Sequence, residues 1–313
     1  MPMTRRAVID VGTNSVKLLV ADVSGRRVEP VHESSEQTRL GRGFYETSRL
    51  QSAAIARTAR AVAGFAAKAR DRNAGSIRVI ATSAARDAVN QEELLAALGN
   101  AAGLPVEVIT GEQEAELAFR GVISDTLFAR QPLLIVDVGG GSTEFILGEE
   151  EHHRFCQSFA LGTVRLMEKI PHSDPPTGAD WETCRATVNR FLEETVRSVV
   201  EPELRGFAPD AVQLVGTGGT SSTLARIELG LAKFDRNRIE ALRLTREQVR
   251  QQRERLWSLT LAERRKIPGL PPDRADVILL GIPIYEGLLE LLGFSHLRVS
   301  TRGLRFAAIL DPG

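Results

Sequence analysis

A chain of 313 residues with 40 basic and 40 acidic side chains carries no net charge. No global field therefore draws it to nucleic acid or to an anionic membrane, and a polyanion would need a local cleft. The length allows two domains with a core each.

The apolar runs are far shorter than a membrane span, and "MPMTRRAVID" leads straight into a strand pattern with no signal-peptide core. The expectation is a cytoplasmic protein with no membrane or nucleic-acid partner. Cys156 and Cys184 form no C-x-x-C pair and read as core or boundary residues. The histidines lack zinc-ligand spacing, and His152-His153 falls in a polar stretch that reads as a turn.

In chain order, "AVIDVGTNSVKLLVA" predicts a strand, a Gly-led turn and a second strand. "SAAIARTARAVAGFAAKARD" has apolar residues at helical spacing with Ser52 as a candidate cap, and "IRVIATSAAR" is a buried strand entering a loop. "EELLAALGNAAGLPVEVIT" predicts a helix stopped near Gly99 and a strand over residues 106–109, and "TGEQEAELAFRGVI" another helix. The boundary between halves is expected near residues 129–132. "LLIVDVGGGSTEFILGEE" then repeats the strand, glycine turn and strand, and residues 171–180 read as a turn-rich loop.

"WETCRATVNRFLEETVRSVVEPEL" is a long helix ended near Pro202. "AVQLVGTGGTSSTLARIELG" is a strand, a glycine turn and a helix with Thr220, Ser221 and Ser222 as candidate caps. "TREQVRQQRERLWSLTLAERRKI" and "ADVILLGIPIYEGLLELLG" supply two further helices, followed by the strand "LRVS" and the terminal helix "GLRFAAIL". The pattern is mixed α/β.

The two glycine turns are related. "VDVGGGSTEFILG" aligns without gaps on "IDVGTNSVKLLVA", both reading D-V-G-x-x-S, which points to a duplicated domain. A dinucleotide-binding glycine loop would open a helix, so that reading loses. One such loop alone is equally well a plain hairpin turn. Two matched loops, at Gly12, Thr13, Asn14 and Ser15 and at Gly139, Gly140, Gly141, Ser142 and Thr143, favour a phosphate held by their amides. A hairpin also folds Asp137 and Glu144 back together, and two carboxylates beside phosphate suggest Mg²⁺.

Asp10 joins them as a metal candidate. Lys17, at the position of Glu144, suits direct phosphate contact or a solvent-facing strand. Gly218, Gly219 and Thr220 open a helix whose N-terminus could take an anion, although a capped helix packed on its own sheet explains them as well. Glu112, Glu114 and Glu116 are expected in a first helical turn from the dipole alone, and spacing does not choose among them. Arg86 could be a structural ion-pair partner or reach a phosphate.

These blocks, in this order and with "TRLGRGF", "LGTVRLMEKI" and "RIEALRLT", resemble the Ppx/GppA phosphatases, exopolyphosphatases and guanosine pentaphosphate phosphohydrolases of the actin-like ATPase superfamily. The resemblance is to a short two-domain form. It implies duplicated ribonuclease-H-like domains with mixed sheets flanked by helices and an interdomain cleft, over residues 1–130 with the C-terminal helix 302–311, and residues 131–301. It makes Glu114 the base that activates water, Arg86 the arginine at the scissile phosphate, Asp137 and Glu144 the metal acids, and the two glycine loops the phosphate loops.

The implied activity is release of orthophosphate from polyphosphate with Mg²⁺, Mn²⁺ being a substitute. Guanosine pentaphosphate is the alternative substrate, and a homodimer is kept as the candidate assembly. A small-molecule kinase or a non-catalytic polyphosphate or nucleotide sensor on the same fold are the competing readings.

Overall fold

The computed structural model describes residues 3–208 and 210–311. Contacts divide the chain into two units, one holding residues up to Thr126 and those from Arg302 onward, the other Leu127–Thr301.

The first unit is built on β1 (Thr4–Val11), β2 (Val16–Ser24), β3 (Arg27–Glu36), β4 (Ser76–Ala81) and β5 (Val106–Val108), in the order β3-β2-β1-β4-β5. β1 runs antiparallel to β2 and parallel to β4. Alternate residues of one strand serve two cores, because side chains leave a strand on opposite faces. Ala7, Ile9, Val11, Leu18 and Val20 pack with the helices Ser52–Asp71 and Gln91–Ala102, whereas Val8, Leu19, Ala21 and Ile80 pack with Leu117 and Phe306. Continuous apolar runs in "AVIDV" and "VKLLVADV" follow from burial on both faces.

The C-terminal helix Leu304–Ala308 closes the second face by packing on Gly111–Ile123. A Cβ on Gly121 would lie 2.2 Å from the Gly303 carbonyl oxygen, so the two backbones touch there. Arg120 clamps the end with two hydrogen bonds to Asp311, at 2.9 and 3.1 Å.

The second unit repeats this plan with β6 (Leu133–Val138), β7 (Thr143–Glu149), β8 (His152–Phe159), β9 (Gln213–Thr217), β10 (Arg243–Thr245) and β11 (His296–Val299), in the order β10-β11-β9-β6-β7-β8. An antiparallel meander is followed by a strand parallel to its first member in each unit. Helices flank both mixed sheets, giving the duplicated ribonuclease-H-like α/β fold. Among the described residues no helix is long and apolar enough to cross a membrane.

Several expectations need correction. The helix Gln91–Ala102 passes through Gly99 and stops at Gly103, whose left-handed φ of 65° suits the residue without a Cβ. Gln51, not Ser52, occupies the N-cap position of the helix Ser52–Asp71. The long helix ends at Leu204, two residues past Pro202, but it is not uniform: Gly178–Phe191 continues through a π-helical stretch, Leu192–Arg197, into Ser198–Leu204, which contains the proline. That helix starts within the stretch read as loop, at a Thr177 capping box.

The segment from Thr245 forms two helices, Arg246–Trp257 and Leu261–Arg264, because Thr260 makes a second capping box with Glu263. His152-His153 opens β8, the turn falling just before it. The third strands β3 and β8 escape the pattern reading altogether, since edge strands with one wet face carry mostly polar residues. Cys184 is a core residue whose thiol burial pushes up to about 12, and Cys156 sits half-buried on β8.

Asn90, at the N-cap position of the helix Gln91–Ala102, ties Leu50 to the start of that helix. Its side chain accepts from the Leu50 N–H at 2.9 Å and donates to the Leu50 carbonyl at 3.1 Å, all buried. Asn90→Ala leaves both backbone groups without partners and is expected to cost about 2–4 kcal/mol, read from the midpoint of urea unfolding at unchanged m.

Candidate active site

Each unit turns its sheet's first hairpin with the same four-residue device. The Gly12 N–H donates to the Ser15 carbonyl at 3.0 Å, and the Gly139 N–H to the Ser142 carbonyl at 3.0 Å. What lies behind the turns decides what they present in front.

In the first, the Thr13 carbonyl accepts from the Gly41 N–H at 2.8 Å and the Asn14 carbonyl from the Arg39 N–H at 2.9 Å. In the second, the Gly139 carbonyl accepts from Thr163, and the Gly140 carbonyl from Val164 at 2.8 Å and Arg165 at 3.1 Å. The Arg165 Nε holds the Gly141 carbonyl at 2.8 Å. In a trans peptide plane C=O and N–H point opposite ways. Tying these carbonyls down turns the amides of Asn14 and Ser15, and of Gly140, Gly141 and Ser142, to the other side. Successive amides so aligned make an anion cradle.

The backing segments are themselves a repeat: Leu40-Gly41 and Leu161-Gly162 stand behind the respective turns, both leucines buried. A Cβ on Gly41 would meet the Thr13 Cγ2 at 2.3 Å, and one on Gly162 the Gly140 carbonyl oxygen at 2.5 Å. This recurrence lies within "TRLGRGF" and "LGTVRLMEKI", blocks that carry the family resemblance, but the backing contacts they make are distant in sequence.

At the mouth of each hairpin two side chains stand directly opposite in register, Asp10 with Lys17 and Asp137 with Glu144. The Lys17 ammonium lies 4.0 Å from the Asp10 carboxylate. In the second hairpin acid faces acid. Glu144 is 3% exposed and accepts from the Ser158 hydroxyl at 2.7 Å. Asp137 packs against Gly218, where a Cβ would lie 2.1 Å from Oδ1 and where φ is +81°, so two independent reasons exclude a side chain.

Beneath it Tyr285 is fully buried and donates to the Val136 carbonyl at 3.0 Å; burial, and then the charge of Asp137, push its phenol up. No group of three or more metal-ligating side chains occurs among the described residues. Two hard carboxylate donors in register therefore fit a cation that keeps most of its shell as water and substrate oxygen rather than an all-protein cage.

In the first unit Arg86 and Glu114 meet. Arg86 ends the short helix Ser83–Arg86 after β4, and its Nη1 donates to Glu114 Oε2 and to the Ile109 carbonyl, both at 3.2 Å. Glu114 is held there by the Thr110–Gln113 capping box that starts its helix. Of the three glutamates that spacing could not separate, Glu112 is exposed, Glu116 half-buried, and Glu114 ion-paired to Arg86 with 17% of its side chain exposed.

Four threonine and serine side chains stand otherwise than their spacing suggests. Thr143 is fully buried with its hydroxyl on the Leu161 carbonyl, anchoring the backing segment. Thr220, Ser221 and Ser222 do not cap: the N-cap position of the helix Gly218–Glu228 is Thr217, and the helix follows β9 without an intervening turn. Thr220 instead donates to the Val138 carbonyl at 3.0 Å, bracing the second hairpin. Asn14 holds Gln37 at 2.8 Å. Arg165 and Tyr285 went unread because their contacts are distant in sequence.

The model of the Ppx/GppA phosphatase family matches residues 19–311. The chain belongs to the Ppx/GppA phosphatase family. Exopolyphosphatase 2 of Mycobacterium tuberculosis is 38% identical over 315 residues, covering 96% of each chain. The solved Ppx/GppA enzyme of Aquifex aeolicus is 31% identical with a TM-score of 0.78, covering 99% of this chain and 100% of its own. An exopolyphosphatase from Cytophaga hutchinsonii is 29% identical with a TM-score of 0.86, covering 97% and 96%.

For this Ppx/GppA member the backing contact is testable by one methyl group. Gly162→Ala drives a Cβ into the backbone of Gly140 and is expected to cost about 1–3 kcal/mol in urea unfolding. Gly178→Ala, with nothing within 4 Å of its Cβ, is the control and is expected within about 1 kcal/mol of the parent.

Proposed function

We propose that this protein is an exopolyphosphatase, hydrolysing the terminal phosphoanhydride of inorganic polyphosphate to orthophosphate. The observation that carries the reading is the fixing of both glycine hairpins from behind, which commits their amides to an anion. Family membership and the likeness to exopolyphosphatase 2 support the same reaction class, a metal-dependent phosphoric anhydride hydrolysis.

Hydrolysis needs an in-line water, neutralisation of the charge on the transferred phosphoryl group and a stabilised leaving phosphate. Glu114 is the base that orients and deprotonates the water. Arg86, held by that carboxylate and by the Ile109 carbonyl, presents its guanidinium to phosphoryl oxygens. In each unit the hairpin amides, those of Asn14 and Ser15 in one and of Gly140, Gly141 and Ser142 in the other, can take phosphate oxygens without reorganisation, since their planes are already fixed. Lys17, beside Asp10, adds a cation at the mouth of the first turn.

Asp137 and Glu144 are the residues that would hold Mg²⁺, which when bound neutralises phosphate charge and polarises the anhydride. The proton taken from water passes to Glu114, and the anhydride oxygen leaves on the shortened chain. No side chain need be phosphorylated.

The test is phosphate release from short polyphosphate, long polyphosphate, guanosine pentaphosphate and ATP, with and without Mg²⁺. The expected result is metal-dependent release from polyphosphate without any acceptor. Preferential release from guanosine pentaphosphate would move the substrate assignment, and transfer to an acceptor without hydrolysis would replace the reading by a kinase. Glu114→Gln is expected to lower kcat by about 10²–10⁴-fold with polyphosphate binding retained. A fully active variant would remove Glu114 from the mechanism.

A further inference from the structure

The proposed chemistry uses the carboxyl ends of β6 and β9, and the Leu127–Thr301 unit has a second concavity at the other end of the same sheet. A cavity of about 970 Å³ opens there, lined by the starts of β9 and β11, by β10, and by the ends of the helices Ser198–Leu204 and Ile278–Leu291. The whole length of β9, roughly 13 Å at the usual rise of a strand, separates it from Gly218.

Alternation along two short strands sets its charged wall. In "RLT" and "HLRV" the leucines Leu244 and Leu297 are fully buried in the core, so Arg243, His296 and Arg298 leave on the other face. The antiparallel register places Arg243 directly opposite Arg298. Arg298 is held in place, its Cζ 4.6 Å from the centre of the Phe128 ring and its Nη1 donating to Gln213 Oε1 at 3.3 Å. Among the described residues the exposed Arg243 side chain has no hydrogen-bond or ion-pair partner. Like charges directly opposite on paired strands repel, and an anion between them removes that cost.

The lining as a whole carries four arginines against two acids. One acid, Glu201, is already taken: Arg197 at 2.8 Å and Arg205 at 3.1 Å hold its carboxyl below the usual range. The other, Asp210, is exposed on the turn before β9.

Much of the remaining lining is apolar. Leu204, Phe207, Val212, Leu291 and Phe294 are half-buried, packed on the core from one side and bordering the cavity on the other. Gly293, left-handed at φ 75°, turns the chain from the helix Ile278–Leu291 towards β11 and so brings Phe294 to the wall. A cavity of this volume is at the upper end of small-molecule sites, far larger than a bare inorganic anion needs. The two oxygens of a carboxylate are filled by one guanidinium fork, whereas a phosphate has oxygens for two.

We propose that this cavity binds an organic phosphate, its phosphate group taken by Arg243 and Arg298 together and its apolar body by Leu204, Phe207, Leu291 and Phe294. The site is apart from the glycine hairpins, and its assignment does not rest on the exopolyphosphatase reading.

The probe is 1-naphthyl phosphate, titrated by calorimetry into the full chain without divalent metal, with inorganic phosphate, 1-naphthol and tripolyphosphate as separate arms. It is expected to bind at least tenfold more tightly than inorganic phosphate or 1-naphthol, since each of those carries only half of what the cavity takes. Arg243→Gln and Arg298→Gln are each expected to weaken it at least tenfold, and Arg243→Lys, which keeps the charge but not the fork, by less than Arg243→Gln.

Arg243 is exposed on an edge strand, so Arg243→Gln should keep the parent's melting temperature, and its phosphate release from polyphosphate should stay within twofold of the parent's. No binding of 1-naphthyl phosphate to the parent would overturn the proposal, as would affinity within twofold of the parent in Arg243→Gln, or 1-naphthol bound as tightly as its phosphate. Tripolyphosphate bound through Arg243 more tightly than 1-naphthyl phosphate would also overturn it, by making the cavity part of the substrate path. Should Arg298→Gln fail to fold, Arg243→Gln decides.

Discussion

A peptide plane whose carbonyl is fastened on one side has its amide aimed at the other, and the chemistry proposed for this protein depends on that rigidity. Both glycine hairpins would be ordinary turns if their carbonyls faced water. Instead each is backed by a Leu-Gly segment that donates into the turn, and the missing Cβ of Gly41 and Gly162 lets that segment come close enough. The cost of orienting the dipoles is met during folding, so a bound phosphate need not reorganise them.

The sheets put this device where it can act. β1 and β6 are buried on both faces and end at the aspartates Asp10 and Asp137, each one residue before the last of its strand. Parallel strands β4 and β9 run beside them and deliver the next elements at the same end: the short helix carrying Arg86 in one unit, the longer helix beginning at Gly218 in the other. Residues far apart in sequence thus collect at the carboxyl ends of neighbouring strands, the customary place for ligands in open α/β sheets.

Much of this was legible in the sequence, and the reason is locality. D-V-G-x-x-S sets a strand end, a tight turn and a strand start within a few residues, so the duplicated hairpins and the opposition of Asp137 and Glu144 could be read directly. The helix carrying Glu114 was also plain; spacing did not separate Glu114 from Glu112 and Glu116, the family resemblance named it, and its pairing with Arg86 was hidden because that residue arrives from another element. Edge strands β3 and β8 hid because one wet face dilutes alternation.

One pair of positions shows how the duplicated halves have parted. Lys17 faces Asp10 where Glu144 faces Asp137, in the same register and beside the same turn. One ancestral plan thus yields a mouth that balances its own charge and another that concentrates negative charge. Because a single side chain separates them, the likeness of the two hairpins does not extend to their appetite for cations: a repeat that is alike in shape is polarised in electrostatics.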